Sequence, residues 1–138
     1  MRKFIRYTEG WKYRLEESYQ DSIPFRPPVG VKTQFVDLSS VGELLIRRGF
    51  AWDGPSGPAI DTKNFMRASL VHDALYGLMR SGHISAEMCR DRADVFLRKM
   101  CIEDGMSQVR AWWVYSAVKT FAGRATTPEG KNPVLTAP

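Results

Sequence analysis

The sequence predicts an α+β fold, with a small N-terminal antiparallel sheet followed by about three packed helices, one of which carries a His-Asp pair. Three observations predict it. Apolar residues recur with a period of two through the first fifty positions, and the period becomes 3.6 from Asp61 onward. The change falls on a loop dense in glycine and proline, Gly49 to Pro58. With 138 residues, 43% of them hydrophobic, the chain is long enough for one compact core and short for two. Residues 1–122 are therefore read as a single domain, with 1–50 mainly strands, 51–60 the Gly/Pro loop and 61–122 helical. Residues 123–138 have little to bury and are read as an irregular C-terminal tail.

The strand candidates run in order. Phe4 to Tyr7 is the first, and Tyr13 to Tyr19 the second, with Tyr13, Leu15, Glu17 and Tyr19 on one alternating face. Val31, Thr33 and Phe35 alternate against Lys32 and Gln34, and Glu43 to Phe50 is a further candidate. Pro24, Pro27, Pro28 and Gly30 separate two of these segments, and Ser39-Ser40 with Gly42 separates the next pair.

Asp61 or Thr62 can cap the first helix, and Gly82 marks its far end. With His72 at zero and about 100° per residue, Phe65, Ala68, Leu75, Tyr76 and Met79 all fall within about 60° of it. His72 thus sits mid-stripe on the apolar face. Ser85 can cap a second helix to about Cys101, with Ala86, Cys89, Ala93, Phe96, Leu97 and Met100 as its apolar stripe. After Gly105, the stripe Val109, Trp112, Trp113, Ser116, Ala117 and Phe121 predicts a third amphipathic helix.

Charge and cysteine content narrow the partners. Lys plus Arg number 20 against 15 Asp plus Glu, a net +5 that favours anionic surfaces such as phospholipid headgroups or nucleic acid. The basic residues are scattered and no nucleic-acid-binding signature is present, so nucleic acid is the weaker partner. No apolar run near Met1 resembles a signal-peptide core, and the apolar patch Ala111 to Ala117 is far below the roughly 20 residues that span a bilayer. A soluble or membrane-surface protein is expected. Cys89 and Cys101 on one helix would stand about 18 Å apart, too far for a disulfide, and with His72 and His83 they match no zinc spacing. They are expected to be free thiols.

The segment from Trp52 to Asp94 concentrates residues with chemistry. The loop Trp52-Asp53-Gly54-Pro55-Ser56-Gly57-Pro58 has a bent backbone whose carbonyls can turn inward toward a hard cation; equally, its glycines can do no more than permit a strand-to-helix turn. It lacks the Gly-Lys-Ser/Thr element of a P-loop. His72 and Asp73 are neighbours about 100° apart on their helix and must face different partners. Asp73, on the flank, could join loop carbonyls in the oxygen-rich set calcium prefers. His72 is either a core histidine bonded to a neighbour or a base, and Tyr76, one turn later on the same face, can reach the same buried acceptor. A buried imidazole base works better with a carboxylate on its far nitrogen, which fixes the tautomer and stabilises the imidazolium. With Ala93 at zero, Asp91 lies at about 160° and Asp94 at about 100°, at the edge of the stripe. Asp94 is preferred, although pairing with Arg90 or Arg98 would equally explain it.

The order Trp52-x-Gly54-x-Ser56-Gly57, then His72-Asp73-Ala74-Leu75-Tyr76, then Ala93-Asp94-x-Phe96 resembles the phospholipase A2 superfamily over about a third of the chain. The resemblance implies calcium as cofactor, held by the carbonyls of Trp52, Gly54 and Ser56 and the carboxylate of Asp73. It implies His72 as base, Asp94 as its orienting partner and Tyr76 as support. The short interval from His72 to Asp94 looks more like the compact viral version than the secreted one. Departures are plain: secreted members place cysteines around the His-Asp pair, whereas Ala68, Ser69, Ala74 and Leu75 stand here, and Ser56 replaces the usual glycine.

A longer pattern, from Gly49-Phe50 through the same motifs to Tyr115-x-Ala117-Val118, resembles a phage and prophage family of unassigned function, domain-of-unknown-function family 1353. Together the resemblances imply a phage-encoded, calcium-dependent lipid ester hydrolase acting on a phospholipid membrane surface. The alternative is a non-catalytic virion or tail-assembly component that meets other phage structural proteins. Either would reside in host cytoplasm or virion. Trp112 and Trp113 would face a membrane in the first case, or the core in either.

Overall fold

A computed structural model describes residues 3–8, 13–52 and 62–121. The α+β expectation holds: short antiparallel strands come first and three helices follow. The strands form two sheets. The first orders β1 (Tyr7–Thr8), β2 (Tyr13–Leu15) and β7 (Ala51–Trp52) as β1-β2-β7. The second orders β3 (Tyr19–Ser22), β6 (Glu43–Ile46), β5 (Val36–Leu38) and β4 (Val31–Lys32) as β3-β6-β5-β4.

Several long strand candidates are broken in two, each for a local reason. Tyr13 to Tyr19 splits at a bend over Glu16 and Glu17, so that β2 and β3 join different sheets, and Glu17 is exposed while Tyr13, Leu15 and Tyr19 are buried. The run from Val31 to Phe35 ends after Lys32. There the Thr33 hydroxyl accepts from Val36 N–H at 2.9 Å and diverts the chain into a turn before β5. Glu43 to Phe50 ends at Ile46, and Gly49, with φ at 95°, lets the chain reverse into β7. Gly42 is needed more strictly: φ is 89° and a Cβ there would stand 2.4 Å from the Ile23 carbonyl oxygen.

α1 (Lys63–Arg80) begins after Thr62, whose side chain makes no capping bond; Asp61, the other cap candidate, lies outside the described residues, as do loop positions 53–60 and the tail 123–138. Phe65 through His72 are all buried, so α1 is the central helix and not a surface one. α2 (Ala86–Glu103) starts where Ser85 Oγ accepts from Met88 N–H at 3.2 Å. The two form an antiparallel hairpin: Arg67 meets Glu103 and Asp104 near one end, and His72 meets Asp94 near the middle. Leu75, Leu97 and Met100 are nearly or wholly inaccessible, each contributing about 1.5–3 kcal/mol by burial.

α3 (Gln108–Phe121) is rotated relative to expectation. Its buried residues are Ala111 and Val114, with Val118 packed partly against the core, whereas Val109, Trp112 and Trp113 are 82%, 54% and 43% exposed. The smaller side chains face the core and the large ones lie outside. Cys89 and Cys101 are free, and burial pushes the Cys101 thiol up to about 12. Among the described residues no helix is long and apolar enough to cross a membrane.

Candidate functional site

The geometry centres on one carboxylate oxygen. Asp94, 1% exposed on α2, receives two donors from α1 on the same Oδ1: His72 Nε2 at 2.7 Å and the Tyr76 hydroxyl. A carboxylate only accepts, so the Nε2 nitrogen carries the proton and a neutral His72 keeps its lone pair on Nδ1. Among the described residues Nδ1 has no hydrogen-bond partner. The rings of His72 and Tyr76 stack loosely, with centroids 4.0 Å apart and planes at 36°. Four-residue spacing on α1 sets both side chains on one stripe, and the antiparallel hairpin brings Asp94 opposite. Asp94 is bound to these two groups and to neither Arg90 nor Arg98.

Burial first, then the hydrogen bond to Asp94 and the charge of that carboxylate, drive the Tyr76 phenol well above its ordinary value; Arg90 opposes the shift and Asp91 adds to it. The phenol is therefore a proton donor at any ordinary pH. It donates to the same Asp94 oxygen as His72, so the carboxylate is held by two groups and in turn orients the imidazole.

The remaining predicted site residues divide. Asp73 is half-buried on α1, next to His72 in sequence. Trp52 is 3% exposed, and its indole N–H donates to Ser69 Oγ at 3.0 Å, while Ser69 Oγ donates to the Met66 carbonyl at 2.9 Å. The end of β7 is thus pinned to α1 one turn before His72 and Asp73. Gly54 and Ser56 lie outside the described residues. No group of three or more His, Cys, Asp or Glu side chains able to hold a metal is found among the described residues. Asp73 is the one side-chain ligand in the expected calcium set, and the other donors in that set are backbone carbonyls.

Sequence reasoning overlooked Arg67, which is 3% exposed in the second turn of α1. Its guanidinium donates to Asp104 at 2.9 Å, to Glu103 at 3.0 Å and to the Tyr19 hydroxyl at 2.9 Å, with Asp21 at 3.6 Å. Burial opposes its charge, but the bonds to Asp104 and Tyr19 override this and hold it firmly protonated. The signal was present as a lone arginine between Met66 and Ala68 in an apolar run. A cleft of about 1190 Å³ opens beside it, walled by Lys3, Phe4, Lys63, Met66 and Glu103. That cleft lies at the start of α1 and is not lined by His72.

A family of proteins described as "Protein of unknown function (DUF1353)" matches residues 29–118, more than half of the chain, and the chain belongs to it. The match spans both α1 and α2 and so includes the His72, Tyr76 and Asp94 cluster. No curated protein and no solved structure matches the chain.

Proposed function

We propose that this member of the DUF1353 family is a phage-encoded, phospholipase A2-like lipid ester hydrolase in which His72 is the general base. The observation that carries the reading is the pair of donors on Asp94 Oδ1, which leaves Nδ1 of the buried His72 without a hydrogen-bond partner among the described residues. A water held at Nδ1 gives up a proton as its oxygen attacks an ester carbonyl. Asp94 stabilises the resulting imidazolium across the ring, and Tyr76 keeps the carboxylate in place. The same nitrogen then returns the proton to the leaving alkoxide.

Calcium belongs to this proposal as cofactor, with Asp73 and the carbonyls of Trp52, Gly54 and Ser56 as its holders. Bound there, it would neutralise the developing oxyanion and the substrate phosphate. The donor set is all oxygen, as calcium requires, and Asp73 sits beside the base. A phospholipid surface as partner is supported by the outward face of α3, where Val109, Trp112 and Trp113 are exposed, and by the net charge of +5.

One observation favours a second reading. His72 is only 6% exposed and Asp94 1%, as in a buried polar network that specifies packing and turns nothing over. Under it the protein is a virion or tail-assembly component. The experiment is fatty acid release from anionic vesicles with and without calcium, for the wild type and His72→Gln. Release that needs calcium and disappears in the variant supports the hydrolase; release without calcium, or undiminished in the variant, rules it out.

A further inference from the structure

α2 carries arginines four residues to either side of Asp94. Arg90, Asp94 and Arg98 lie on one helical stripe, within about 80° of one another. Such spacing would ordinarily let an arginine neutralise the aspartate, but His72 and Tyr76 occupy Asp94 instead. Among the described residues neither arginine has an ion-pair or hydrogen-bond partner, and Arg98 Nε is buried with no acceptor. A buried N–H without a partner is rare and calls for a group to satisfy it. Arg90 is exposed, and its charge reaches the Tyr76 hydroxyl.

The register of the hairpin locates Arg98. Because Arg67 meets Glu103 and His72 meets Asp94, the turn of α2 after Asp94 runs alongside the turn of α1 before His72. That is the turn of Ser69, where Trp52 is pinned. One cation therefore stands a turn beyond the base on the Trp52 side, and a second a turn away on the Tyr76 side.

We propose that Arg98, with Arg90 as its outer companion, anchors an anionic group of the substrate at the His72 site, and that this group is a phosphate ester. A guanidinium offers paired N–H donors that suit phosphate oxygens, and an anion there would satisfy the buried Nε. The proposal deepens the hydrolase reading and rests on His72 marking a substrate site. The phosphate can come from a lipid headgroup or from a soluble ester.

Two probes separate these sources: soluble glycerol 3-phosphate and vesicles of phosphatidylglycerol, each titrated against wild type, Arg98→Gln and Arg90→Gln, with turnover of the vesicles followed in His72→Gln. Arg98→Gln is expected to weaken binding about 10- to 100-fold, as for loss of charged hydrogen bonds. Arg90→Gln, at an exposed position, is expected to weaken it a few-fold. Arg98-dependent binding of vesicles alone names a headgroup; of the soluble ester as well, a free phosphate ester. If wild type binds neither probe, or Arg98→Gln binds as wild type does, the anchor is refuted. Should Arg98→Gln fail to fold, Arg98→Lys and Arg90→Gln carry the test, and equal binding by both refutes it. Retained turnover in His72→Gln together with lost binding in Arg98→Gln would remove the hydrolase and leave the anion site; the opposite pattern would do the reverse.

Discussion

Two buried polar clusters tie α1 to α2, and they differ in how completely they are satisfied. Around Arg67 one cation faces Asp104, Glu103, Tyr19 and, at 3.6 Å, Asp21, and Lys3 bonds Asp21 from outside at 2.7 Å. Each group has a partner, and the elements joined are a strand and two helices. Around His72 two donors crowd one carboxylate oxygen, and the other ring nitrogen is left over. A saturated network is suited to holding elements together, since any change leaves a buried charge unpaired. One with a spare basic nitrogen keeps a group that can act on something else.

If this contrast is right, substitutions in the two clusters should fail in different assays. Arg67→Met should be the most damaging to stability, by about 2–4 kcal/mol. That lies at or below the cost of breaking a fully buried pair, because Asp104 and Glu103 keep contact with solvent. Chemical denaturation would measure it, and a loss under about 1 kcal/mol would show that Arg67 is no staple. Asp94→Asn should cost about 1–3 kcal/mol, the loss of charged hydrogen bonds from His72 and Tyr76. Any turnover should fall about 10²-fold or more as the imidazolium loses its partner. Tyr76→Phe removes one of those bonds and should cost about 1 kcal/mol with a smaller drop in rate; a larger effect than Asp94→Asn would mean that Tyr76 itself does the chemistry.

The smallest effect is spectroscopic. Burial lifts the Tyr19 phenol to about 12 against an ordinary 10.0, so its neutral form favours folding. That contribution is complete below pH of about 10 and is lost as pH climbs through about 12. Tyrosinate absorbance should therefore show Tyr19 and Tyr76 silent near pH 10, and neither Tyr19→Phe nor Tyr76→Phe should reduce the amplitude there. A reduced amplitude would place the missing phenol in water.

The legible parts of the molecule are those set by local period. His72, Tyr76 and Asp94 converge as helix phase suggests, because spacing of four on one helix and the edge position on the next are properties of the chain itself. Arg67 was illegible because its partners come from Tyr19, Glu103 and Asp104, far apart in sequence. The pinning of Trp52 on Ser69 is likewise long-range. The strands break where Glu16-Glu17, Thr33 and Gly49 turn the chain, since alternation continues through a bend as readily as through a strand. α3 is hard to read for another reason: two of its faces are apolar, and the bulkier one, with Trp112 and Trp113, lies outside while Ala111 and Val114 are buried.

The contrast between the clusters is tested most directly by one paired measurement. Fatty acid release from anionic vesicles in calcium and thermal unfolding are recorded together for wild type, His72→Gln and Arg67→Met, below the unfolding range of all three. The account predicts a crossing: His72→Gln unfolds near the wild-type temperature and releases nothing, while Arg67→Met unfolds earlier and releases fatty acid at the wild-type rate per folded molecule. Wild-type protein that releases none, or His72→Gln that releases as much, would contradict it.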